Sequence, residues 1–421
     1  MSATLPLKRV VVTGLGALTP VGNDLQSSWS NLLQGRSGAA PITRFDPSPF
    51  KTHFACEVKN FEPTDHLDRK EVRRTDRFSQ YALVVSGKAL ADAALDPATV
   101  DTTRVGVIWA SAMGGIETTE EQLQKYDAAP DNPRFSPLYI PKMLLDASSG
   151  TISMHFGLRG VNHNTVSACA SSNAALIDAL YHIRLGKADA IVCGGSEAAI
   201  TPSSLGGFSS AQALSTRNGD PATASRPFDV ERDGFVLGEG AAALILEEYE
   251  YAKRRGARIY AELVGGGSSG DAYHATAAHP EGDGALRSML AALDDATLSP
   301  SQVDYVNPHA TSTPVGDVSE LKAMQRLFGE ALAGVQISAT KSMTGHLLGA
   351  AGAIEAVIAV LTIHTGQVPP TINTTQLDPL VPEDLQLTLG KQIERTVDVA
   401  MSNSFGFGGH NSTVIFQRVA E

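Results

Sequence analysis

Apolar runs that end in glycine recur along this chain, and helix-like segments separate them. In the first half such runs span residues 105–110 and 190–193, and Gly114-Gly115 and Gly194-Gly195 follow them. Runs of this kind are typical of buried strands in α/β folds with parallel sheets. The pattern starts again near residue 250, with strands predicted at 259–264, 303–306, 335–338 and 397–402 and helices at 285–293, 320–328 and 350–363. We therefore predict two α/β halves, residues 1–255 and 256–421, that share one core.

Cys169 lies where an extended segment, residues 164–166, gives way to small residues and then to an apolar helical run, residues 170–185. The free N–H groups and the positive end of the helix dipole would face its sulfur and favour thiolate over thiol. The position predicts a nucleophilic cysteine, and the alternative is a core cysteine packed under a helix. Cys193 lies inside a predicted strand, and we interpret it as structural.

The second half contains the groups that a nucleophilic cysteine needs. His309 follows the strand predicted at 303–306, and His346 follows the strand predicted at 335–338. One histidine at such a position is often structural, but two at equivalent positions of successive units indicate a site. Glu355 is the one charge in an apolar helix predicted at 350–361, so it needs a partner, and Lys341 is the best candidate.

Residues 402–409, Ser-Asn-Ser-Phe-Gly-Phe-Gly-Gly, form a glycine-rich segment near the end of the chain. We predict a turn whose backbone N–H groups lack side-chain cover. Such a turn can form an oxyanion hole or a mobile gate.

Two other glycine motifs do not support the functions that they resemble. The glycine turn after the first strand, Gly14-Leu15-Gly16, has Thr19 where a dinucleotide site needs a third glycine. Residues 266–270, Gly-Gly-Ser-Ser-Gly, match the elbow of serine hydrolases, but no predicted helix follows them. We interpret this second segment as a turn after the strand at 259–264.

The charge and cysteine content exclude several classes of function. A net charge of −12 and a pI near 5.4 argue against nucleic-acid binding. Three cysteines are too few and too scattered for a disulfide framework or a zinc site, so we expect a reducing compartment, no metal and no cofactor. The N-terminus lacks a signal pattern, and the longest apolar stretch, residues 347–361, is short of a membrane span. We therefore expect a cytoplasmic protein.

Basic residues are concentrated in one helix-like segment near residue 70. Spacings of three and four place four of them on one side of a predicted helix: Lys70, Arg73, Arg74 and Arg77. In an acidic protein this side is either a solvated face or a docking surface for something anionic.

Four segments together resemble the β-ketoacyl-[acyl carrier protein] synthases, and among them the elongating synthase II type of bacterial fatty acid synthesis. They read Ser-Ala-Cys-Ala-Ser-Ser at 167–172, His-Ala-Thr-Ser-Thr at 309–313, Lys-Ser-Met-Thr-Gly-His at 341–346 and Asn-Ser-Phe-Gly-Phe-Gly-Gly at 403–409. The likeness covers nearly the whole chain. It implies a thiolase-like fold, with two similar halves in five αβαβα layers, and a homodimer.

The resemblance also implies a reaction. Cys169 would take an acyl group from acyl carrier protein, and malonyl-acyl carrier protein would lose CO2 and attack the thioester to give 3-oxoacyl-acyl carrier protein. The backbone N–H groups of Cys169 and Phe407 would hold the acyl oxyanion. His309 and His346 would stabilise the enolate, and Lys341, paired with Glu355, would fix the histidines electrostatically.

Further residues carry roles that come only from the family. Thr311, Thr313 and Asn403 would support the site, Phe405 would gate its entrance, and Met113 would lie on the acyl tunnel. The family's docking surface for the carrier adds two residues to the basic helix, so the set is Lys70, Arg73, Arg74, Arg134 and Arg217.

The chain departs from the family pattern beside two reactive residues. Pro308 and Ala310 replace the usual Ala and Gly beside the first histidine, and Ser171-Ser172 replace the commoner Thr-Gly or Ser-Gly after the cysteine. These departures bear on selectivity rather than activity. A ketosynthase of a polyketide or polyene pathway and a silent partner subunit of another synthase remain as alternatives.

Overall fold

The computed structural model describes residues 7–382 and 385–420. The N-terminal segment for which no signal pattern is expected lies partly outside these residues. The strands are β1 Val10–Leu18, β2 Ala40–Pro41, β3 Phe54–Ala55, β4 Val105–Ala110, β5 Asn162–Thr165, β6 Ala190–Glu197, β7 Gly240–Glu248, β8 Ala261–Gly270, β9 Tyr305–Asn307, β10 Gln336–Ile337, β11 Gln367–Val368, β12 Gln386–Leu387, β13 Ile393–Glu394, β14 Val399–Gly406 and β15 His410–Gln417. The helices are α1 Leu25–Leu33, α2 Arg69–Arg74, α3 Arg77–Asp92, α4 Ile116–Ala128, α5 Tyr139–Met143, α6 Ala147–Phe156, α7 Ser171–Arg184, α8 Pro202–Ser210, α9 Tyr249–Arg254, α10 Asp283–Ala296, α11 Pro314–Phe328, α12 Lys341–Thr344 and α13 Ala351–Thr365.

One strand topology occurs twice. The first half has the order β1-β7-β6-β4-β5, and the second has β8-β15-β14-β9-β10, with β12 added at its end. In both halves the first two pairings are antiparallel and the next two are parallel. The prediction of two similar halves is therefore confirmed, whereas the prediction of parallel sheets holds only for β6-β4-β5 and β14-β9-β10. A continuous apolar run reports burial of both faces, and the antiparallel β7 is buried along its whole length.

The two sets of strands meet at β1 and β8, which pair at Val11 with Glu262 and at Val12 with Ala261. Helices α7 and α13 contact each other and strands of both sets, so they form the central layer. On the outer sides α3 packs on β1 and β7, and α10 packs on β8 and β15. This is the thiolase-like layer order expected from the resemblance.

Helix α13 is apolar on all sides because protein surrounds it. The segment Leu348–Thr365 has the length and hydropathy of a membrane span, and 89% of it is buried inside the protein. The apolar stretch is therefore longer than the predicted residues 347–361, and the helix is a core helix, for which continuous apolar character is also normal.

The glycines at 265–267 belong to β8 rather than to a turn, so the predicted turn is wrong. A Cβ on Gly265 would lie 2.4 Å from the carbonyl oxygen of Ala292 in α10. The glycines therefore let helix and strand approach closely, and the segment cannot form a hydrolase elbow. Likewise β6 continues past residue 193 to Glu197, whose burial becomes important below.

Candidate active site

Cys169 lies between the end of β5 and the start of α7, as predicted. The Ser171 hydroxyl accepts from the Ser167 N–H at 2.8 Å and donates to the Ala168 carbonyl at 2.6 Å, which fixes the turn. Ala168 has φ of 50°, in the left-handed region that non-glycine residues rarely adopt. This local geometry presents the sulfur at the start of the helix.

The Cys169 sulfur is nevertheless protonated at neutral pH. Burial raises the pKa of the thiol to about 11, although the Phe407 N–H, Lys341 and the N–H of Cys169 itself all act to lower it. The helix start acts in the predicted direction, but in the free protein desolvation of the charged sulfur outweighs it. Deprotonation has to accompany the reaction.

His309 and His346 converge on this sulfur. Nε2 of His346 lies 3.0 Å from Sγ of Cys169, and one ligand atom of each of the three residues lies within 4.8 Å of the others. The two imidazole rings meet edge to face with centroids 5.2 Å apart. Burial, reinforced by Lys341, lowers the pKa of both histidines well below the ordinary value. Both rings are therefore neutral and able to donate one N–H.

Lys341 and Glu355 form the predicted pair. Nζ of Lys341 donates to Oε1 of Glu355, and both side chains are almost completely buried. Burial raises the pKa of Glu355 to about 7, and Lys341 opposes this rise. The ammonium thus lies within electrostatic range of the carboxylate, the thiol and both histidines.

Two buried carboxylates hold the segment that carries His309. Glu320 accepts from the backbone N–H groups of His309 at 2.9 Å and Ala310 at 2.8 Å and from the Asn403 amide at 3.1 Å. Asp317 accepts from the N–H groups of Ser312 and Thr313. Neither acid was predicted from the sequence as a site residue. Their spacing of three on a helix just after the histidine motif was the available signal, because it places them on one face.

The neighbours of the converging residues share an unusual backbone. Ala310 has φ of 23° and Leu348 has φ of 49°, which together with Ala168 places a left-handed residue within two positions of each converging side chain. Such residues cost free energy and cluster at functional sites. At position 310 the family usually has glycine, for which this φ is no burden.

The glycine-rich segment is shorter than predicted. Residues up to Gly406 belong to β14, and the turn is confined to Phe407–Gly409. The Phe407 N–H acts on the Cys169 sulfur, and a Cβ on Gly406 would lie 2.9 Å from the Cys169 nitrogen. The two N–H groups expected to form an oxyanion hole therefore lie together. The neighbouring Gly408 N–H donates to the Ala275 carbonyl at 2.7 Å.

A cavity of about 710 Å³ opens onto the three converging residues. Its lining includes Met113, Phe208, Phe405 and Phe407, with Thr311 and Thr313 on another side. The two threonine hydroxyls lie 3.2 Å apart. An apolar space of this size can take a ligand with a long hydrocarbon part.

The expected docking residues differ in how free they are. Lys70, Arg73, Arg74 and Arg134 are exposed, and within residues 7–382 and 385–420 their side chains have no ion-pair partner. The guanidinium of Arg217 instead contacts the Glu231 carboxylate at 3.4 Å.

Arg77 is not part of the basic helix. Residues 75 and 76 separate α2 from α3, and the buried Asp76 caps α3 at the Phe78 N–H. Arg77 forms an ion pair with Glu117 at 3.0 Å. The predicted single helix is therefore two helices, and Arg77 does not share the exposed side.

The repeated strand order and the converging cysteine and two histidines define a condensing enzyme of the thiolase-like class. The chain belongs to the β-ketoacyl synthase family: the family's N-terminal domain matches residues 7–252 and its C-terminal domain matches residues 260–375.

The similar proteins share nearly the full length. The chain is 48% identical over 412 residues to "3-oxoacyl-[acyl-carrier-protein] synthase 2" of Staphylococcus aureus, with 98% of each chain covered. It is 49% identical over 417 residues to the protein of the same name from Synechocystis sp., with 99% of each covered. A solved β-ketoacyl synthase from Burkholderia phymatum has a TM-score of 0.90 and 35% identity, covering 98% of this chain and 100% of that one. A type II PKS ketosynthase, solved in complex with its acyl carrier protein, has the same TM-score, identity and coverage.

Proposed function

We propose that this protein catalyses the decarboxylative Claisen condensation of an acyl thioester on Cys169 with malonyl-acyl carrier protein, giving 3-oxoacyl-acyl carrier protein in fatty acid elongation. The observation that carries the proposal is the convergence of Cys169, His309 and His346 on one cavity, with the Lys341–Glu355 pair behind them. The fatty acid pathway is supported by the full-length relatives at 48–49% identity, which are named as synthases of this kind.

In the first half-reaction the Cys169 sulfur attacks the carbonyl carbon of the acyl-carrier thioester. Nε2 of His346, 3.0 Å from the sulfur, receives the thiol proton as the S–C bond forms. The N–H groups of Cys169 and Phe407 hold the oxyanion of the tetrahedral intermediate. Collapse of the intermediate breaks the C–S bond to the carrier, whose thiolate takes the proton and leaves as a thiol.

In the second half-reaction the C–CO2 bond of malonyl-carrier breaks, and its electron pair moves into the thioester as an enolate. The N–H group of His309 donates to the enolate oxygen, and His346 donates to it as the tautomer that carries its proton on Nε2. Their low pKa keeps them neutral, so they stabilise charge as hydrogen-bond donors rather than as cations. The enolate carbon then attacks the acyl group on Cys169, and the Cys169 thiolate departs and takes up one proton from solvent.

Product analysis with purified acyl carrier protein, malonyl-carrier and primers of graded length tests the proposal. We expect one condensation per primer and release of the 3-oxoacyl product. A ketosynthase of a polyketide or polyene pathway is the second candidate, favoured by the 35% identity to a solved type II PKS ketosynthase; it would extend one primer several times without reduction. A silent partner subunit would give no turnover by itself, and that result would overturn the proposal.

The partner is the acyl and malonyl forms of acyl carrier protein, which is acidic, as is this chain. Docking at a local basic surface is supported by four cations without an ion-pair partner among the described residues: Lys70, Arg73, Arg74 and Arg134. Arg217 should contribute less to carrier binding, because Glu231 partly neutralises its charge.

Reversing Lys70 and Arg74 to Glu should raise KM for carrier-bound primer and leave acylation by acyl-coenzyme A unchanged. Lys253→Glu with Arg254→Glu is the matched control, because α9 is also a six-residue helix with a basic last turn. Raised ionic strength should weaken carrier binding in wild type by screening. Equal losses with carrier and coenzyme A donors would exclude the docking role.

We further propose that the protein is a cytoplasmic homodimer. In each subunit the boundary between the two halves lies between residues 255 and 256. Strand β5 lies at one end of the large sheet and pairs only with β4 among the described strands. The segment between β4 and β5 carries exposed apolar side chains, including Tyr126, Phe135 and Ile140. An unpaired edge with exposed apolar groups favours association of two copies. Light scattering should give twice the chain mass, and Phe135→Asp should lower it if this surface is the interface.

A further inference from the structure

Glu197, at the end of β6, is a completely buried carboxylate to which the proposed mechanism gives no role. It accepts four hydrogen bonds, from the Ser111 hydroxyl at 3.0 Å and from the N–H groups of Ala112 at 2.8 Å, Met113 at 3.1 Å and Gly349 at 3.0 Å. No cation pairs with it among the described residues. Burying a carboxylate that has hydrogen-bond donors but no cation costs free energy, so we expect a function that requires it.

The first group of donors belongs to the wall of the cavity. Residues 111–113 follow β4 directly, and Met113 and Ala112 line the cavity next to Cys169. The Ser111 hydroxyl also accepts from the Gly114 N–H at 3.0 Å. Residues 111–113 lie beyond the end of β4 and pair with no other strand among the described residues. Glu197 instead holds their main chain through the Ala112 and Met113 N–H groups.

The fourth donor belongs to the segment that carries His346. Gly349 lies three residues after His346, and its carbonyl accepts from the hydroxyl of Ser172, three residues after Cys169. A Cβ on Gly349 would lie 2.4 Å from the Ala112 nitrogen. The main chains of the cavity wall and the His346 segment are thus in direct contact, and Gly349 is held through both its N–H and its carbonyl.

We infer that Glu197 is a positioning residue that holds the Met113 wall and the His346 segment as one unit, and so couples acceptance of long primers to malonyl decarboxylation. The inference rests on the proposed condensation. If residues 112 and 113 move, the Glu197 carboxylate that they bind moves with them, and the same carboxylate holds the Gly349 N–H after His346. A long acyl chain that displaces Met113 therefore changes the position of His346 and with it the rate of malonyl decarboxylation.

A carboxylate suits this role better than an amide. Its two oxygens accept all four bonds, whereas glutamine has one oxygen and an NH2 group that would face donors. Glu197→Gln keeps the shape of the side chain but leaves part of the donor set without an acceptor. Glu197→Asp keeps the acceptors one methylene shorter and should recover part of the loss.

The experiment measures two rates in each variant: acylation of Cys169 by acyl-coenzyme A primers of 4 to 14 carbons, by mass spectrometry, and CO2 release from malonyl-carrier. In Glu197→Gln we expect the ratio of long-primer to short-primer acylation and the rate of CO2 release each to fall about tenfold. Ser172→Ala cuts only the link to Gly349, so CO2 release should fall a few-fold while the ratio stays constant.

Glu247→Gln is the matched control. Glu247 is equally buried, but it lies on β7 and bonds to Arg255 and Thr13, away from the cavity lining. Its substitution should lower Tm and leave both the ratio and CO2 release unchanged. If Glu197→Gln lowers Tm without changing the primer ratio or CO2 release, Glu197 is only structural and the inference fails.

If Glu197→Gln does not fold, the Glu197→Asp and Ser172→Ala variants test whether Glu197 couples the cavity wall to the His346 segment. An unchanged CO2 release in Ser172→Ala, together with no difference between Glu197→Asp and wild type in either rate, would overturn the coupling. Failure of the proposed function is a separate outcome, because it would appear as absence of condensation by wild type with short primers.

Discussion

The buried pair of Lys341 and Glu355 can be tested through the free energy of unfolding. Lys341→Met keeps a similar volume but leaves the Glu355 carboxylate without its cation. At an effective dielectric constant of about 20 and a charge separation of about 4 Å, the lost attraction is about 4 kcal/mol. Removing one partner of a buried pair costs a similar amount, about 3–5 kcal/mol. Removal of both charges, with Glu355→Leu, should cost much less because no unpaired charge remains.

The loss in Lys341→Met should depend on pH. Burial already raises the pKa of Glu355 to about 7, and without Lys341 the pKa rises further. The folded variant then holds a proton that the unfolded chain releases near its ordinary carboxyl pKa of about 4.3. A raised pKa contributes stability below the unfolded value, and this stability is lost as pH rises through the folded value. The variant should therefore be more destabilised relative to wild type at pH 8 than at pH 6.

Urea denaturation of wild type, Lys341→Met and the double variant at both pH values gives these differences. Protein concentration has to be equal in all samples, because association would add to the apparent stability. An equal loss in the single and double variants would refute the coupling of the two charges. A single-variant loss that is the same at pH 6 and pH 8 would refute the argument from the buried carboxylate.

Four further predictions concern the reaction. Cys169→Ala should abolish acyl transfer and condensation but retain CO2 release from malonyl-carrier, since enolate stabilisation does not need the sulfur; loss of both in a folded protein would contradict the assignment of the histidines. His309→Ala and His346→Ala should each add about 2–4 kcal/mol to the barrier of the condensation, measured as kcat/KM, as loss of one oxyanion donor does. Because the pKa of the Cys169 thiol is about 11, its alkylation by iodoacetamide should speed up about tenfold per pH unit between pH 7 and 9; a plateau near pH 7 would show a thiolate in the free enzyme. Met113→Phe should shorten the longest primer that acylates Cys169 while acetyl and butyryl groups still transfer, because a rigid ring cannot swing aside as methionine does; an unchanged cutoff by mass spectrometry would place the tunnel elsewhere.

The reacting residues were predictable because each follows a recognisable strand. Cys169 and His309 lie just beyond strand ends, and His346 follows β10 after the short helix α12. Strand ends of such folds meet at one place. The pairing of Lys341 with Glu355 was predictable for a different reason, since a single charge in an apolar helix requires a partner.

What the sequence could not reveal is the balance of forces at those positions. The pKa of Cys169 depends on how much water reaches the sulfur, which only the packed structure determines. Glu197, Asp317 and Glu320 bind backbone N–H groups, and a backbone donor carries no residue-type signal. The strands at the middle of the sheet are buried alike whether parallel or antiparallel, so their pattern could not report direction.

The left-handed backbone at Ala168, Ala310 and Leu348 lowers the free energy of unfolding of the protein. For residues with a Cβ this conformation costs roughly 1–2 kcal/mol each, and glycine would remove most of that cost. A library of this chain selected only for heat resistance should therefore drift toward glycine at these positions. At Ala168 and Leu348 this substitution would also free the main chain beside Cys169 and His346, and the most heat-resistant variants would then be slower catalysts than their parent.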